Sequence, residues 1–157
     1  DAHADLRDEY TGTKFSHACV MRRVYDLGAG FVQAGVRSMS PEEKEWLSAH
    51  DREVISARRI RSDGDWTAAV VGSLSSHVYI TFDVDVLDPS EMPATGTPEP
   101  GGLSYHQVID LVIALKDSGK EVVGLDLMEL APIPGLHHAD FLAASLVYTM
   151  IGAFWPG

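Results

Sequence analysis

The sequence predicts a three-layer α/β fold, in which helices cover both faces of a mostly parallel β-sheet. Short apolar runs rich in β-branched and aromatic residues alternate along the chain with helical patterns that begin at clear caps. This alternation produces βαβ units, whose strands run parallel. Carboxylates directly follow two of the apolar runs, and ligands of parallel sheets bind beyond the carboxyl ends of the strands. At 157 residues, the chain has the length of one such domain, residues 1–157.

The predicted helices are placed by their N-terminal caps. Ser40, with Glu43 three residues later, forms a capping box, and Ser104 with Gln107 forms a second one. Glycines follow two of the helical patterns and are typical helix stops. The predicted helices cover residues 17–26, 41–50, 65–74, 105–118 and 141–154. The last of these is largely apolar, so we expect it to be buried or packed on a neighbouring element.

The predicted strands cover residues 31–36, 54–57, 78–83 and 121–127. A polar, glycine-containing loop over residues 6–15 precedes the first helix. Residues 88–102 contain four prolines and three glycines, which forbid regular structure. Long loops inside compact domains usually shape a functional site, so we expect residues 88–102 to do so.

Composition limits the possible partners and the cellular location. The formal net charge is −11 and no segment is rich in lysine and arginine, which argues against a nucleic-acid partner. The charge is compatible with a small cationic substrate, with bound metal cations, or with an acidic surface kept for solubility. The single cysteine, Cys19, excludes an intrachain disulfide and favours the cytoplasm. No apolar run is long enough to span a bilayer, so no membrane partner is expected.

Two groups of acidic residues predict a metal site. Asp83 and Asp85 end the strand 78–83, and alternation would put them on one face, roughly 7 Å apart. Carboxylates held this close repel each other unless a cation lies between them. Asp1, His3 and Asp5 add three ligands on alternate residues. Four carboxylates with one imidazole suit a pair of divalent ions and favour Mn²⁺ over Zn²⁺, although each motif alone is also compatible with a solvated strand end.

Five motifs, in order, resemble the ureohydrolase (arginase/agmatinase) family, and its agmatinase branch most closely. They extend from residue 1 to about residue 150. The motifs are Asp-Ala-His-Ala-Asp at 1–5, Ser-His-Ala at 16–18, Phe-Asp-Val-Asp-Val-Leu-Asp-Pro at 82–89, Gly-Thr-Pro-Glu-Pro-Gly-Gly within 95–102, and Asp-Leu-Met-Glu-Leu-Ala-Pro at 126–132. The family carries a further histidine ligand in a Gly-Gly-Asp-His segment ahead of the first motif. We therefore expect the chain to be about the C-terminal half of such an enzyme, without its N-terminal strands.

The resemblance implies an arginase-like fold and a hydrolase with two Mn²⁺ ions per full-length subunit. Carried over to this sequence, Asp1 and Asp83 bridge the two ions, Asp5 completes the shell of one ion, and His3 and Asp85 complete the other. The ions activate a water that attacks the guanidinium carbon, which yields urea and an amine.

The resemblance also implies roles for three residues in catalysis. Asp5 helps to pass a proton to the departing amine. Glu129 accepts hydrogen bonds from the guanidinium group, and His17 acts as a proton shuttle near the mouth of the site. Without the resemblance, the simpler interpretation of His17 is an ordinary histidine at the start of a helix.

The substrate is expected to be a guanidino compound without the amino-acid end of arginine. Arginases carry a Ser-x-Asn stretch before the shuttle histidine, whereas this chain has Gly-Thr-Lys-Phe-Ser over residues 12–16. Agmatine is the first choice, with putrescine as product and polyamine biosynthesis as context, and guanidinobutyrate and guanidinopropionate remain open. The resemblance suggests homotrimers or homohexamers.

Two alternatives remain beside this interpretation. A metallohydrolase with the related deacetylase-type fold would use one Zn²⁺, although the number of carboxylates favours two ions. The chain could also be a catalytically incomplete metal-binding fragment. The metal content and the release of urea separate these hypotheses.

Overall fold

A computed structural model describes residues 1–50, 52 and 54–157 of the chain. The helices are α1 (Val20–Asp26), α2 (Pro41–Ala49), α3 (Ala57–Ser62), α4 (Trp66–Ser73), α5 (Tyr105–Asp117) and α6 (His137–Phe154). The strands are β1 (Gln33–Ala34), β2 (Val54–Ile55), β3 (His77–Asp83) and β4 (Glu121–Met128). Short 3₁₀ helices cover His17–Cys19 and Val84–Val86. No described helix combines the length and the apolar character needed to cross a membrane.

Both strand pairs are parallel, as the alternation of elements predicts. Strand β1 pairs with β2, and β3 pairs with β4. The longer pair runs from His77 opposite Glu121 to Asp83 opposite Met128, with one register shift between Val78 and Tyr79. Because the strands are parallel, both carboxyl ends lie at the same edge, and residues that follow Asp83 and Met128 are neighbours.

Helices α4, α5 and α6 cover one face of the β3–β4 pair. Buried Val78 and Val122 pack there against Leu115 of α5 and against apolar residues of the other two helices. The main core continues beneath the loop of residues 88–102. On the opposite face, Tyr79 and Val123 are 60% and 55% exposed among the residues that the structure describes. A second cluster joins the first residues of the chain to α1 and α2.

Two strand predictions are longer than the strands observed. The run 31–36 forms only the two residues of β1, which ends before Gly35, where the backbone turns to a φ of +93°. Strand β2 ends at Ile55, and α3, which we did not predict, begins at Ala57. Its cap is Ser56, whose side chain accepts a hydrogen bond from the Arg59 N–H.

The five helix predictions need only local correction or none. Both capping boxes are present at the starts of α2 and α5. The first predicted helix starts as the 3₁₀ turn His17–Cys19, and Ser16 makes no side-chain cap. Helix α6 begins at His137, four residues before the predicted start.

Candidate metal centre

Three predicted ligands, Asp1, His3 and Asp85, lie together at the carboxyl end of β3. One ligand atom from each lies within 4.8 Å of the others. His3 Nδ1 is 2.8 Å from Asp85 Oδ2 and 3.6 Å from Asp1 Oδ1. Asp85 is buried, with 1% exposed. Two carboxylates and one imidazole that converge in this way form a suitable donor set for a divalent cation.

Backbone hydrogen bonds fix this arrangement. The Ala2 N–H donates to Asp85 Oδ1 at 2.9 Å, which ties the first residues of the chain to the end of β3. The N–H groups of Arg37 and Ser38 both donate to the Ala2 carbonyl at 2.9 Å. His3 forms a parallel bridge with Ser38. The first residues therefore lie as a parallel segment between the end of β3 and the chain that follows β1.

Asp83 and Asp85 are not related by strand alternation, which corrects the geometry expected from the sequence. Strand β3 ends at Asp83, and Val84–Val86 forms a 3₁₀ turn. Asp83 Oδ1 caps this turn by accepting a hydrogen bond from the Asp85 N–H at 2.9 Å. Among the residues that the structure describes, the compact cluster leaves Asp5 and Asp83 outside.

The electrostatics of the site favour a bound cation. Burial, together with the neighbouring Asp85 charge, raises the pKa of Asp83 to about 7. Burial likewise raises the pKa of Asp5 to about 6. The hydrogen bond to Asp85 raises the pKa of His3, whereas the bonds that Asp85 accepts outweigh its burial and lower its pKa. Desolvation raises the pKa values of the Asp5 and Asp83 carboxyl groups to about 6 and 7, and a bound metal ion would stabilise their charged form.

Asp5 occupies a left-handed backbone conformation, with φ at +54°. Its carbonyl accepts hydrogen bonds from the N–H groups of Met21 and Arg22, at the start of α1. The next N–H, of Leu6, donates to Oε1 of buried Glu43 at 2.9 Å. Two helix starts thus fix the backbone of Asp5.

The other two predicted site residues lie apart from the three-residue cluster. Glu129 directly follows β4, has a φ of +63° and is exposed. One of its carboxylate oxygens approaches Gly96, in the loop 88–102. His17 is exposed and lies edge-on to Tyr10, with ring centroids 6.0 Å apart. Glu129 therefore lies at the predicted sheet edge, and His17 lies on the surface.

The loop 88–102 is held closed at its base. The Asp88 carboxylate accepts hydrogen bonds from the Gly101 and Gly102 N–H groups at 3.1 Å. The Arg37 guanidinium donates to the carbonyls of Asp85 and Glu99, at 2.8 and 2.7 Å. It also donates to the carbonyls of Gly35, Val86 and Leu87. Sequence reasoning missed Arg37, because the carbonyls that it binds lie far from it in the sequence.

Comparisons with known proteins agree over almost the whole chain. A family model described as the arginase family matches residues 1–152. The chain is 44% identical to an N(1)-aminopropylagmatine ureohydrolase of Thermus thermophilus, over 97% of this chain and 51% of that protein. It is 41% identical to the agmatinase of Pyrococcus horikoshii, over 97% of this chain and 53% of that protein.

Solved structures show the same likeness. The crystal structure of agmatine ureohydrolase of Thermoplasma volcanium matches with a TM-score of 0.87 and 38% identity, over 98% of this chain and 52% of that one. An arginase from Bacillus caldovelox, 22% identical, shares the fold with a TM-score of 0.81 over all of this chain and 58% of that one. The chain spans about half the length of the curated relatives it matches.

Proposed function

The chain belongs to the arginase family, with the predicted arginase-like fold, and from this we propose that the protein hydrolyses a cationic guanidino compound to urea and an amine. The observation that carries the proposal is the convergence of Asp1, His3 and Asp85 at the sheet edge where Glu129 follows the neighbouring strand. Relatives named agmatinase and N(1)-aminopropylagmatine ureohydrolase support the reaction class.

The donor set fits a pair of divalent cations, and we propose Mn²⁺. Asp1, His3 and Asp85 converge, and Asp5 and Asp83 are desolvated acids beside them. Oxygen-rich ligands with a single imidazole favour Mn²⁺ over Zn²⁺. When bound, such ions supply a nucleophile at neutral pH, because they lower the pKa of water.

The chain's own residues would bind the substrate and move protons. The exposed Glu129 carboxylate would accept charge-assisted hydrogen bonds from the guanidinium, which orients its planar group. Asp5 would accept a proton released at the site and help to pass it to the departing amine. His17, exposed at the start of its 3₁₀ turn, would carry protons between the site and solvent.

Agmatine is the proposed substrate, with N(1)-aminopropylagmatine as the second candidate. The second candidate is favoured by the names of three relatives that are 38–44% identical over nearly all of this chain. Both compounds join a guanidinium to a cationic tail, which suits a chain with a net charge of −11. We further propose a role in polyamine biosynthesis in the cytoplasm, and assembly into homotrimers or homohexamers. The exposed Phe141 and Tyr148 of α6 are consistent with a subunit interface.

The test is release of urea by the full-length protein with Mn²⁺. Agmatine, N(1)-aminopropylagmatine, guanidinobutyrate and arginine are compared at equal concentration, and metal is counted per chain. Asp85→Asn should abolish urea release, while Asp110→Asn, on the exposed side of α5, should leave it unchanged. Bound Mn²⁺ without urea from any of the four compounds would mean that the protein binds metal but does not catalyse this reaction. One Zn²⁺ per chain would contradict the proposed pair of Mn²⁺ ions.

A further inference from the structure

The two ring nitrogens of His3 face two different carboxylates. Nδ1 is 2.8 Å from Asp85 Oδ2, within the candidate metal centre. Nε2 is 3.9 Å from Oε1 of Glu99, in the loop 88–102. The His3 side chain is 25% exposed and that of Glu99 is 38% exposed, so this second pair lies at the border between the site and solvent. None of the roles proposed above uses Glu99.

The backbone of Glu99 is fixed relative to the metal centre. Arg37 donates to the Glu99 carbonyl through both Nε, at 3.2 Å, and Nη2, at 2.7 Å. The same Nη2 donates to the Asp85 carbonyl at 2.8 Å. One planar guanidinium therefore joins the segment that presents Asp85 to the segment that presents Glu99.

The sequence around Glu99 restricts it further. Pro98 and Pro100 flank it and fix two φ angles of the loop. The Asp88 carboxylate holds the following Gly101 and Gly102 by their N–H groups. The backbone of Glu99 therefore keeps its place near His3, and only the side-chain torsions set the position of the carboxylate.

The chemistry of imidazole gives this placement a consequence. A neutral imidazole has one acceptor nitrogen and one donor nitrogen. If His3 binds a cation through Nδ1, which is the nitrogen in the cluster, then its proton must reside on Nε2. That N–H points toward a region where Glu99 supplies the neighbouring carboxylate. Metal-binding histidines generally donate their second N–H to such a group, which fixes the ring and raises its basicity.

We infer that Glu99 is a positioning residue for His3, accepting a hydrogen bond from Nε2 directly or through one water when a divalent cation occupies Nδ1. Arg37 holds Glu99 in place for this role. The inference rests on the proposed metal centre, and it adds to that centre a residue that is not itself a metal ligand. A distance of 3.9 Å is compatible with a bridging water, and a small side-chain rotation would make the contact direct.

The test is the affinity of the full-length protein for Mn²⁺, measured by calorimetry and by electron paramagnetic resonance. Glu99→Gln keeps the shape of the side chain but removes its charge, and we expect affinity to fall about 10- to 100-fold. The matched control is Glu121→Gln. Glu121 also pairs with a histidine, His77 at 3.4 Å, but at the opposite end of the sheet. Its substitution should leave the affinity unchanged, and neither variant should change the melting temperature of the metal-free protein.

A second variant and a kinetic measurement separate positioning from other roles. Arg37→Lys should also weaken Mn²⁺ binding. Glu99→Gln should then weaken it less in the Arg37→Lys background than in the unaltered protein, because part of the effect of Arg37 acts through Glu99. If Glu99→Gln binds Mn²⁺ as tightly as the unaltered protein, the inference is wrong. Unchanged Mn²⁺ affinity with a raised KM for agmatine would instead assign Glu99 to the substrate tail. Failure of the unaltered protein to bind Mn²⁺ would overturn both this inference and the proposed function.

Discussion

Glu43 offers a sharp test of how the fold supports the candidate site. Its side chain is 4% exposed. Oε1 accepts a hydrogen bond from the Leu6 N–H at 2.9 Å, and Oε2 accepts one from the Ser40 N–H at 2.7 Å. Glu43→Gln replaces one of these oxygens with an NH₂ group, which cannot accept. One backbone N–H must then face a second donor, whichever way the amide is turned.

The magnitude follows from that single lost acceptor. An unsatisfied buried donor costs about 1–3 kcal/mol. Removing a negative charge from the first turn of α2 costs a further ~0.3–1 kcal/mol, through the helix dipole. Glu42→Gln is a matched control, because Glu42 lies in the same turn but is exposed. The difference between the two variants isolates the buried hydrogen bond.

Urea unfolding of the metal-free protein measures this difference. With a typical slope of about 1–3 kcal/mol per molar urea, Glu43→Gln should unfold at a midpoint lower by on the order of 1 M than Glu42→Gln. The substitution should also weaken Mn²⁺ binding, because the affected N–H of Leu6 follows Asp5 directly. Equal midpoints for the two variants would refute the assignment of Glu43 as a buried acceptor shared by two chain segments.

Three further predictions concern the loop, the metal and the substrate. Gly102→Ala should lower stability by about 1–3 kcal/mol in thermal melts, because its Cβ would lie 2.5 Å from the carbonyl carbon of Leu87; an unchanged melting temperature would contradict this. The pKa values of Asp5 and Asp83 are about 6 and 7. Below these pH values the two carboxyl groups carry protons, which a bound cation must displace. Mn²⁺ affinity should therefore rise as the pH rises through about 6 to 7 and level off above. Calorimetry in two buffers should detect the release of protons on binding. An Mn²⁺ affinity that does not depend on pH would exclude binding of the ion by these two carboxylates. Glu129→Gln should raise the KM for agmatine about tenfold with unchanged Mn²⁺ content, as steady-state urea assays would show, and an unchanged KM would remove Glu129 from substrate binding.

Features encoded in neighbouring residues could be predicted from the sequence. Ser40 with Glu43, and Ser104 with Gln107, form capping boxes that require only four consecutive residues, and both are present. The run 78–83 was recognisable as a strand because its residues are β-branched and aromatic and end in a carboxylate. The positions of these elements, and the family motifs, could therefore be predicted from the sequence alone.

Features that depend on distant contacts could not be predicted. Nothing local to Arg37 shows that its guanidinium will donate to carbonyls 48 and 62 residues away. The 3₁₀ turn after Asp83, which moves Asp85 off the strand face, is stabilised by Asp85 receiving bonds from Ala2 and His3. Glu43 looked like a helix cap alone, and its second role depends on Leu6 lying beside it in the fold.

Because the backbone of Asp5 and Glu129 is left-handed, only some substitutions there remove the carboxylate without also straining the backbone. Their φ angles are +54° and +63°, a region that most side chains avoid and that glycine and asparagine tolerate. Alanine at either position removes the carboxylate and its contacts, but the backbone must still adopt the unfavourable left-handed conformation. Asparagine at Asp5 keeps the conformation and removes only the charge. A saturation library selected for folding alone should therefore enrich glycine and asparagine at both positions, whereas selection for activity should restore the acids.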